Sequence, residues 1–268
     1  MSLTESEPRA LTFEELGVPD FICRSLHRRG INEPFAIQRV AIADIMQGND
    51  VCGAAPTGSG KTLAFGIPLV AMTRKGSPRR PTSLVLSPTR ELADQIASEM
   101  QPLSNRTSIT TVYGGVAYGK QVNALKHGTD ILVACPGRLE DLMESGNVAL
   151  DDIERVVIDE ADRMADMGFL PAVRRILDAT TSRTQTILFS ATLDGDVAHL
   201  VKHYQNDPVR HEVVPEPNSI SLADHRFWTV ARDARVSLLA KTVAAAWPTI
   251  VFCRTRHGAD RLTKQLAR

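Results

Sequence analysis

Val51-Cys52-Gly53-Ala54-Ala55-Pro56-Thr57-Gly58-Ser59-Gly60-Lys61-Thr62 carries a short apolar run into a turn of glycines and small residues, and then into a lysine and a threonine. Small residues between a strand and a helix let backbone N–H groups close around phosphate oxygens, and the helix that follows adds the positive end of its dipole. Ala55, Pro56, Thr57, Gly58, Ser59, Gly60, Lys61 and Thr62 are therefore the candidate phosphate cradle. Lys61 is suited to the β- and γ-phosphates, and the Thr62 hydroxyl to a magnesium ion. The usual pattern has glycine where Ala55 stands; Gly58 and Gly60 remain.

Two further constellations follow in working order. Val156-Val157-Ile158 is an apolar run that delivers Asp159 and Glu160 to its end, followed by Ala161 and Asp162. Asp159 is the candidate magnesium ligand and Glu160 the candidate base for an attacking water. Thr186-Ile187-Leu188-Phe189 leads into Ser190-Ala191-Thr192, whose hydroxyls are candidates to sense Asp162. A cradle, an acidic pair and a hydroxyl pair together point to hydrolysis of a nucleoside triphosphate, with Lys61, Asp159, Glu160, Asp162, Ser190 and Thr192 as catalytic candidates.

Seven short apolar runs, 50–54, 83–87, 108–112, 131–134, 155–158, 186–189 and 209–214, alternate with amphipathic helical segments. Near-continuous apolar strands separated by helices predict a mostly parallel sheet covered on both faces, an α/β architecture. Ligands of such sheets sit beyond the carboxyl ends of the strands, where all three constellations fall. Helices are predicted over 16–29 and 37–47. Residues 1–11 read as disordered, 12–214 as the nucleotide-binding domain, 215–225 as a linker, and 226–268 as the beginning of another unit with strands at 226–230 and 249–253 and helices at 235–246 and 257–266.

The 268 residues carry 31 basic and 31 acidic side chains, so bulk charge argues neither for nor against nucleic acid, and any phosphate contact must be local. The four cysteines, Cys23, Cys52, Cys135 and Cys253, lie far apart and read as small hydrophobes of a reducing cytosol. No apolar stretch is long enough to span a membrane. A cytoplasmic, monomeric protein is the expectation.

Asp159-Glu160-Ala161-Asp162 spells the tetrapeptide after which the DEAD-box family of ATP-dependent RNA helicases is named, and the chain resembles that family from Phe13 to about Leu266. The superfamily tolerates alanine at the position of Ala55. Gly30-Ile31-Asn32-Glu33-Pro34-Phe35-Ala36-Ile37-Gln38 is similar to the family's Q motif, G-x-x-x-P-x-x-I-Q, with an aromatic residue, Phe13, 17 positions before its glycine. The resemblance implies that Gln38 hydrogen-bonds adenine, an amide offering both donor and acceptor, and that Phe13 stacks near the base. It also implies ATP and Mg²⁺ at this site and a RecA-like fold.

Pro88, Thr89 and Arg90 resemble the start of motif Ia, Gly114 and Gly115 the glycine doublet, and Pro136, Gly137 and Arg138 the end of the T-P-G-R motif. In the family these groups hold an RNA sugar–phosphate chain, which implies binding largely independent of sequence. Structural ion pairs are the alternative reading of Arg90 and Arg138. Cys135 stands where the family has threonine; a thiol donates weakly, so the contact there is either lost or carried by the backbone. Ala165 replaces a leucine, a change of packing.

Ile250-Val251-Phe252-Cys253-Arg254-Thr255 resembles motif IV, which opens the family's second RecA-like domain. No stretch of this chain supplies motif V or the arginine-rich motif VI. The resemblance thus implies a chain truncated within the second lobe, binding ATP and RNA weakly without efficient unwinding, and loosely packed beyond residue 226. The parent activity implied is ATP hydrolysis coupled to RNA duplex opening or RNP remodelling. The rival readings are a non-catalytic RNA- or partner-binding fragment and a DNA helicase of the same superfamily; Asp162, where the latter carries histidine, disfavours it.

Overall fold

The computed structural model describes residues 11–56, 58–213, 226–246 and 248–267. The expected disordered segment, the linker and Thr57 lie outside them, apart from Leu11. The chain divides into two compact units, Met1–Glu216 and Pro217–Arg268.

In the first unit the seven expected strands form one sheet in which every neighbouring pair is parallel. They are β1 (Val51–Ala54), β2 (Ser83–Leu86), β3 (Ile109–Val112), β4 (Ile131–Ala134), β5 (Arg155–Asp159), β6 (Gln185–Ser190) and β7 (Val209–Glu212). Their order is β3-β4-β2-β5-β6-β1-β7. Helices α1 (Asp20–Arg28), α2 (Ala36–Met46), α3 (Lys61–Met72) and α4 (Arg90–Met100) precede β3; α5 (Tyr118–His127), α6 (Pro136–Glu144), α7 (Ala161–Asp166), α8 (Leu170–Ala179) and α9 (Gly195–Tyr204) follow it.

Alternation along the strands sends side chains to two cores. Val51, Val85, Ile131, Val133, Val157, Ile187 and Phe189 face Ile22, Leu26, Ile42, Ile45, Phe65, Ile67 and Ile96 of the first four helices. Cys52, Leu84, Leu86, Leu132, Val156, Ile158 and Leu188 face Leu125, Leu139, Leu142, Met164, Ile176 and Leu200 of the later ones. Burial of both faces is why these strands read as continuous apolar runs rather than alternating ones.

Helix α1 starts four residues later than expected. Gly17 has φ +81°, Pro19 is the N-cap, and Asp20 sits in the first turn. A left-handed glycine followed by a proline sets the boundary, and the acidic first turn favours the helix dipole.

Gly53 pairs in register with Phe189, and a Cβ there would collide with the Phe189 ring. The ring is buried and stacks at 5.9 Å on Phe65. Gly53→Ala is expected to cost about 1–3 kcal/mol, as overpacking does in a dense core. A urea titration checks this; an unchanged midpoint would show that the ring relaxes freely.

In the second unit, α10 (Arg235–Ala245) and α11 (Arg256–Leu266) form as expected, and neither has a buried residue. The strands expected at 226–230 and 249–253 are not strands: both segments are irregular backbone. Phe227 and Phe252 are more than nine-tenths exposed. A strand needs a hydrogen-bonding neighbour and a face to bury, and these segments have neither among the described residues.

Candidate nucleotide and nucleic-acid site

Parallel strands bring the motifs that follow them to one edge of the sheet, and the strand order divides them. β1, β6 and β5 are neighbours and carry the cradle, the hydroxyl pair and the acidic pair. β3, β4 and β2 are neighbours on the other half and lead into Gly114–Gly115, Pro136–Arg138 and Pro88–Arg90.

The cradle runs from β1 to the N-terminus of α3. Gly58 and Gly60 have φ of +84° and +87°, values that glycine adopts without the penalty of a side chain. The buried Lys61 ammonium donates to the Ala55 carbonyl at 2.7 Å, and the Ala55 N–H donates to the Ser190 carbonyl at 3.2 Å. The Ser59 hydroxyl is buried without a hydrogen-bond partner. Pro56 and Thr62 are half-buried and Gly58 is exposed.

Asp159 ends β5 and is 3% exposed. Burial pushes its carboxyl up to about 7, the Glu160 and Asp162 charges adding to this and Lys61 opposing it. A buried carboxylate of this kind wants a cation. Glu160 adopts φ 52° and ψ 53° as the N-cap of α7. Such a left-handed conformation is uncommon outside glycine and costs about 1–3 kcal/mol. Its side chain pairs with Arg163 at 3.0 Å.

The Asp162 backbone N–H donates to the buried Ser190 hydroxyl at 3.2 Å. The link between these motifs thus runs through the main chain and leaves the Asp162 carboxylate out of it. Thr192 is exposed beyond the strand. Lys61, Glu160, Asp162, Arg163 and Ala191 line a small cavity of about 180 Å³.

Gln38, 2% exposed, is held at both ends of its amide. Its Oε1 accepts from the Phe35 N–H and its Nε2 donates to the Gly60 carbonyl, both at 2.9 Å. The Q motif is thereby fastened to the cradle, with one lone pair and one N–H of the amide still to spare. The Phe13 ring is 2% exposed and packed into the core with Leu16, Val18 and Ile22. Docking of the N-terminal segment onto α1 places it there.

On the other half of the edge, Thr89 caps α4 by accepting from the Leu92 N–H, which makes it a structural residue as well as a candidate contact. Arg90 is exposed and paired with Glu91. Its Nη1 lies 3.8 Å from where a Cβ on Gly115 would stand, so the arginine reaches the glycine doublet. Gly114, Gly115 and Gly137 are exposed, and Pro88 and Pro136 are buried.

The Arg138 guanidinium stands over the Tyr118 ring at 5.2 Å. Its Nε is 3.7 Å from the Asp141 carboxylate, too long for a hydrogen bond, and Nε and Nη1 are buried without hydrogen-bond partners. Tyr118 in turn bonds Ser145 at 2.6 Å. Burial pushes the Cys135 thiol up to about 11, with Glu91 and Asp94 adding to it, so it remains a protonated, weak donor at neutral pH. All four cysteines are free.

The sequence reading passed over three side chains. Tyr118 meets Arg138 only through the fold, whereas Arg163 stands three residues after Glu160, a helical spacing already visible in the sequence. Phe35 did leave a signal: an aromatic residue stands at a helix N-cap, where a short polar side chain is usual.

Residues 35–200 match the DEAD/DEAH box helicase family model. The DEAD-box ATP-dependent RNA helicase 3B, chloroplastic, of Zea mays is 37% identical over 276 residues, covering 98% of this chain and 37% of its own length. The ATP-dependent RNA helicase DeaD of Haemophilus influenzae is 36% identical over 261 residues, covering 96% of this chain and 42% of its own. A solved structure of a DEAD box protein from Methanococcus jannaschii superposes with a TM-score of 0.72 at 31% identity, over 96% of this chain and 70% of that one. The chain spans about two-fifths of the length of these curated relatives. Among the described residues no helix is long and apolar enough to cross a membrane. The family model, the relatives and the RecA-like sheet agree: this chain belongs to the DEAD/DEAH box helicase family.

Proposed function

We propose that the chain is the nucleotide-binding part of an ATP-dependent RNA helicase, and that it binds ATP with Mg²⁺ at the cradle and an RNA backbone at the neighbouring half of the same edge. The observation that carries this reading is the cavity that Lys61 and Glu160 both line, next in sequence to the buried Asp159. A lysine, a carboxylate able to accept a proton and a carboxylate in need of a cation are the groups that water attack on a phosphoanhydride requires.

In this reading backbone N–H groups from Gly58 to Thr62 hold the phosphates, and Lys61 leaves the Ala55 carbonyl to neutralise the β- and γ-oxygens. Asp159 and Thr62 hold the magnesium ion, whose contribution is to offset charge on the phosphate oxygens; the unpartnered Ser59 hydroxyl and the raised Asp159 carboxyl fit such an occupant. Glu160 accepts the proton of the attacking water as the new P–O bond forms. The bond to the bridging oxygen breaks, giving ADP and phosphate. Ser190, at the end of the strand beside β5, and Thr192, just beyond that strand, report the state of the acidic pair. Gln38 reads the base with the hydrogen-bonding positions its internal partners leave unused.

Arg90, Thr89, the Gly114–Gly115 turn, Pro136, Gly137 and Arg138 form the RNA contact. Arg138 enters it held against Tyr118. The division of residues follows the sequence reading, 12–214 for the nucleotide-binding domain and 226–268 for the beginning of a second lobe. Four free cysteines accord with a reducing, cytoplasmic compartment.

The test is phosphate release from ATP and from GTP, each with and without single-stranded RNA or DNA. ATP turnover should rise with RNA, rise less with DNA, and exceed GTP turnover. A site that hydrogen-bonds one base edge leaves polar groups unpaired with the wrong base. Equal use of GTP would remove Gln38 from base reading, and indifference to RNA would remove the proposed contact.

A further inference from the structure

We propose that Arg163 couples the two halves of the sheet edge: it restrains Glu160 until RNA leaves Glu91 able to take the guanidinium over. The proposal rests on the ATP and RNA reading above and supplies a link between its two sites. Strands β2 and β5 are hydrogen-bonded neighbours, with Leu86 opposite Ile158. Arg90 and Glu91 follow the first of them, and Glu160 and Arg163 the second. Two charged clusters thus lie next to each other at the border between the halves.

Each cluster holds one ion pair. Glu91 pairs with Arg90, whose guanidinium also reaches the glycine doublet. Glu160 pairs with Arg163 through Oε2 at 3.0 Å, and its Oε1 has no hydrogen bond among the described residues. The two pairs feel each other. The Glu91 carboxyl is held below its ordinary value first by its hydrogen bond to Arg90, and the Arg163 charge adds to this. Arg163 is therefore within electrostatic reach of both carboxylates. The Glu160 side chain is 15% exposed and its backbone is fixed as the N-cap of α7, whereas the Arg163 and Glu91 side chains are 53% and 70% exposed and have room to move. Ion pairs at such exposure are worth little, so a change of partner costs little.

The outcome is a competition for one guanidinium. Without RNA, Arg90 neutralises Glu91, and Arg163 stays on Glu160 and occupies one of its oxygens. When Arg90 turns to an RNA phosphate, a stronger charge-assisted partner, Glu91 is left unpaired. Glu91 then draws Arg163 away, and the Glu160 carboxylate is released into the cavity that it lines with Lys61.

The experiment uses the whole chain and measures phosphate release from ATP and magnesium with and without saturating single-stranded RNA, beside equilibrium binding of ATP and of RNA. Arg163→Ala should raise RNA-free turnover by about two- to fivefold, the worth of one exposed ion pair. It should lower the stimulation by RNA by the same factor and leave ATP affinity unchanged. Arg163→Lys, which keeps the charge, should return RNA-free turnover towards the parent value. Glu91→Gln should leave RNA-free turnover at the parent value and lose part of the stimulation while RNA still binds. The double variant should behave as Arg163→Ala, since nothing remains to hand over. A fall of RNA-free turnover in Arg163→Ala overturns the proposal, because Arg163 would then position the base rather than restrain it. Unchanged turnover in Arg163→Ala, or full stimulation in Glu91→Gln, also overturns it. A parent chain that does not hydrolyse ATP, or does so without response to RNA, refutes the underlying reading, and the proposal falls with it.

Discussion

Glu160→Gln is expected to lower ATP turnover by about 10²–10⁴-fold while ATP affinity stays within about twofold of the parent, as befits removal of a general base. Glutamine keeps the shape of the side chain and can still accept from Arg163, which now pairs with Glu160 at 3.0 Å. It cannot take up the proton of the attacking water. The backbone that aims this side chain is held left-handed at φ 52° by the end of β5 and the start of α7, so the substitution leaves the geometry in place. Equilibrium titration with ATP, beside phosphate release in the presence of RNA, separates binding from chemistry. Turnover at the parent rate would move the base to another residue. Asp162 would then be the next carboxylate to test, since it lines the same cavity.

Lys61→Ala is expected to act on the other half of that division, weakening ATP binding by roughly 10- to 150-fold, the loss of charge-assisted hydrogen bonds to phosphate. Lys61 is 8% exposed, and its ammonium is anchored on the Ala55 carbonyl at 2.7 Å. It also opposes the rise of the Asp159 carboxyl. Without it Asp159 should hold its proton to still higher pH and take up magnesium less readily at neutral pH. Raising the pH should therefore recover part of the lost affinity in Lys61→Ala, and recover less in the parent. An affinity equal to the parent's at all pH values would show that Lys61 belongs to the packing of the cradle alone.

The candidate site was legible to the extent that its chemistry is local. The cradle, the acidic pair and the hydroxyl pair each sit within a few residues of a strand end, so spacing alone identified them. Apolar runs bounded by turns likewise located all seven strands of the first unit. Phe13 and Phe35 mark the limit. Both are phenylalanines near the Q motif, and nothing in their neighbours says that one is 2% and the other 59% exposed. That difference follows from the folding of residues 12–18 back against α1, which tucks the Phe13 ring into the core. The segments 226–230 and 249–253 mark another limit. Their β-branched and aromatic residues favour strands, but β propensity is fulfilled only by a neighbouring strand and a covered face, and these segments have neither among the described residues.

By itself, then, the amino-acid sequence determined the α/β class, the number and direction of the strands in the first unit, and the candidate residues for a triphosphate, because periodicity and short-range spacing are properties of adjacent residues. Tertiary structure alone decided the strand order β3-β4-β2-β5-β6-β1-β7, and with it which motifs are neighbours along one sheet edge. It also decided the seating of Arg138 on Tyr118 and the exposure of Phe35 beside the burial of Phe13. These depend on which surfaces meet after the strands cross over one another, and burial, ion pairing and exposure are settled only when both partners are in place.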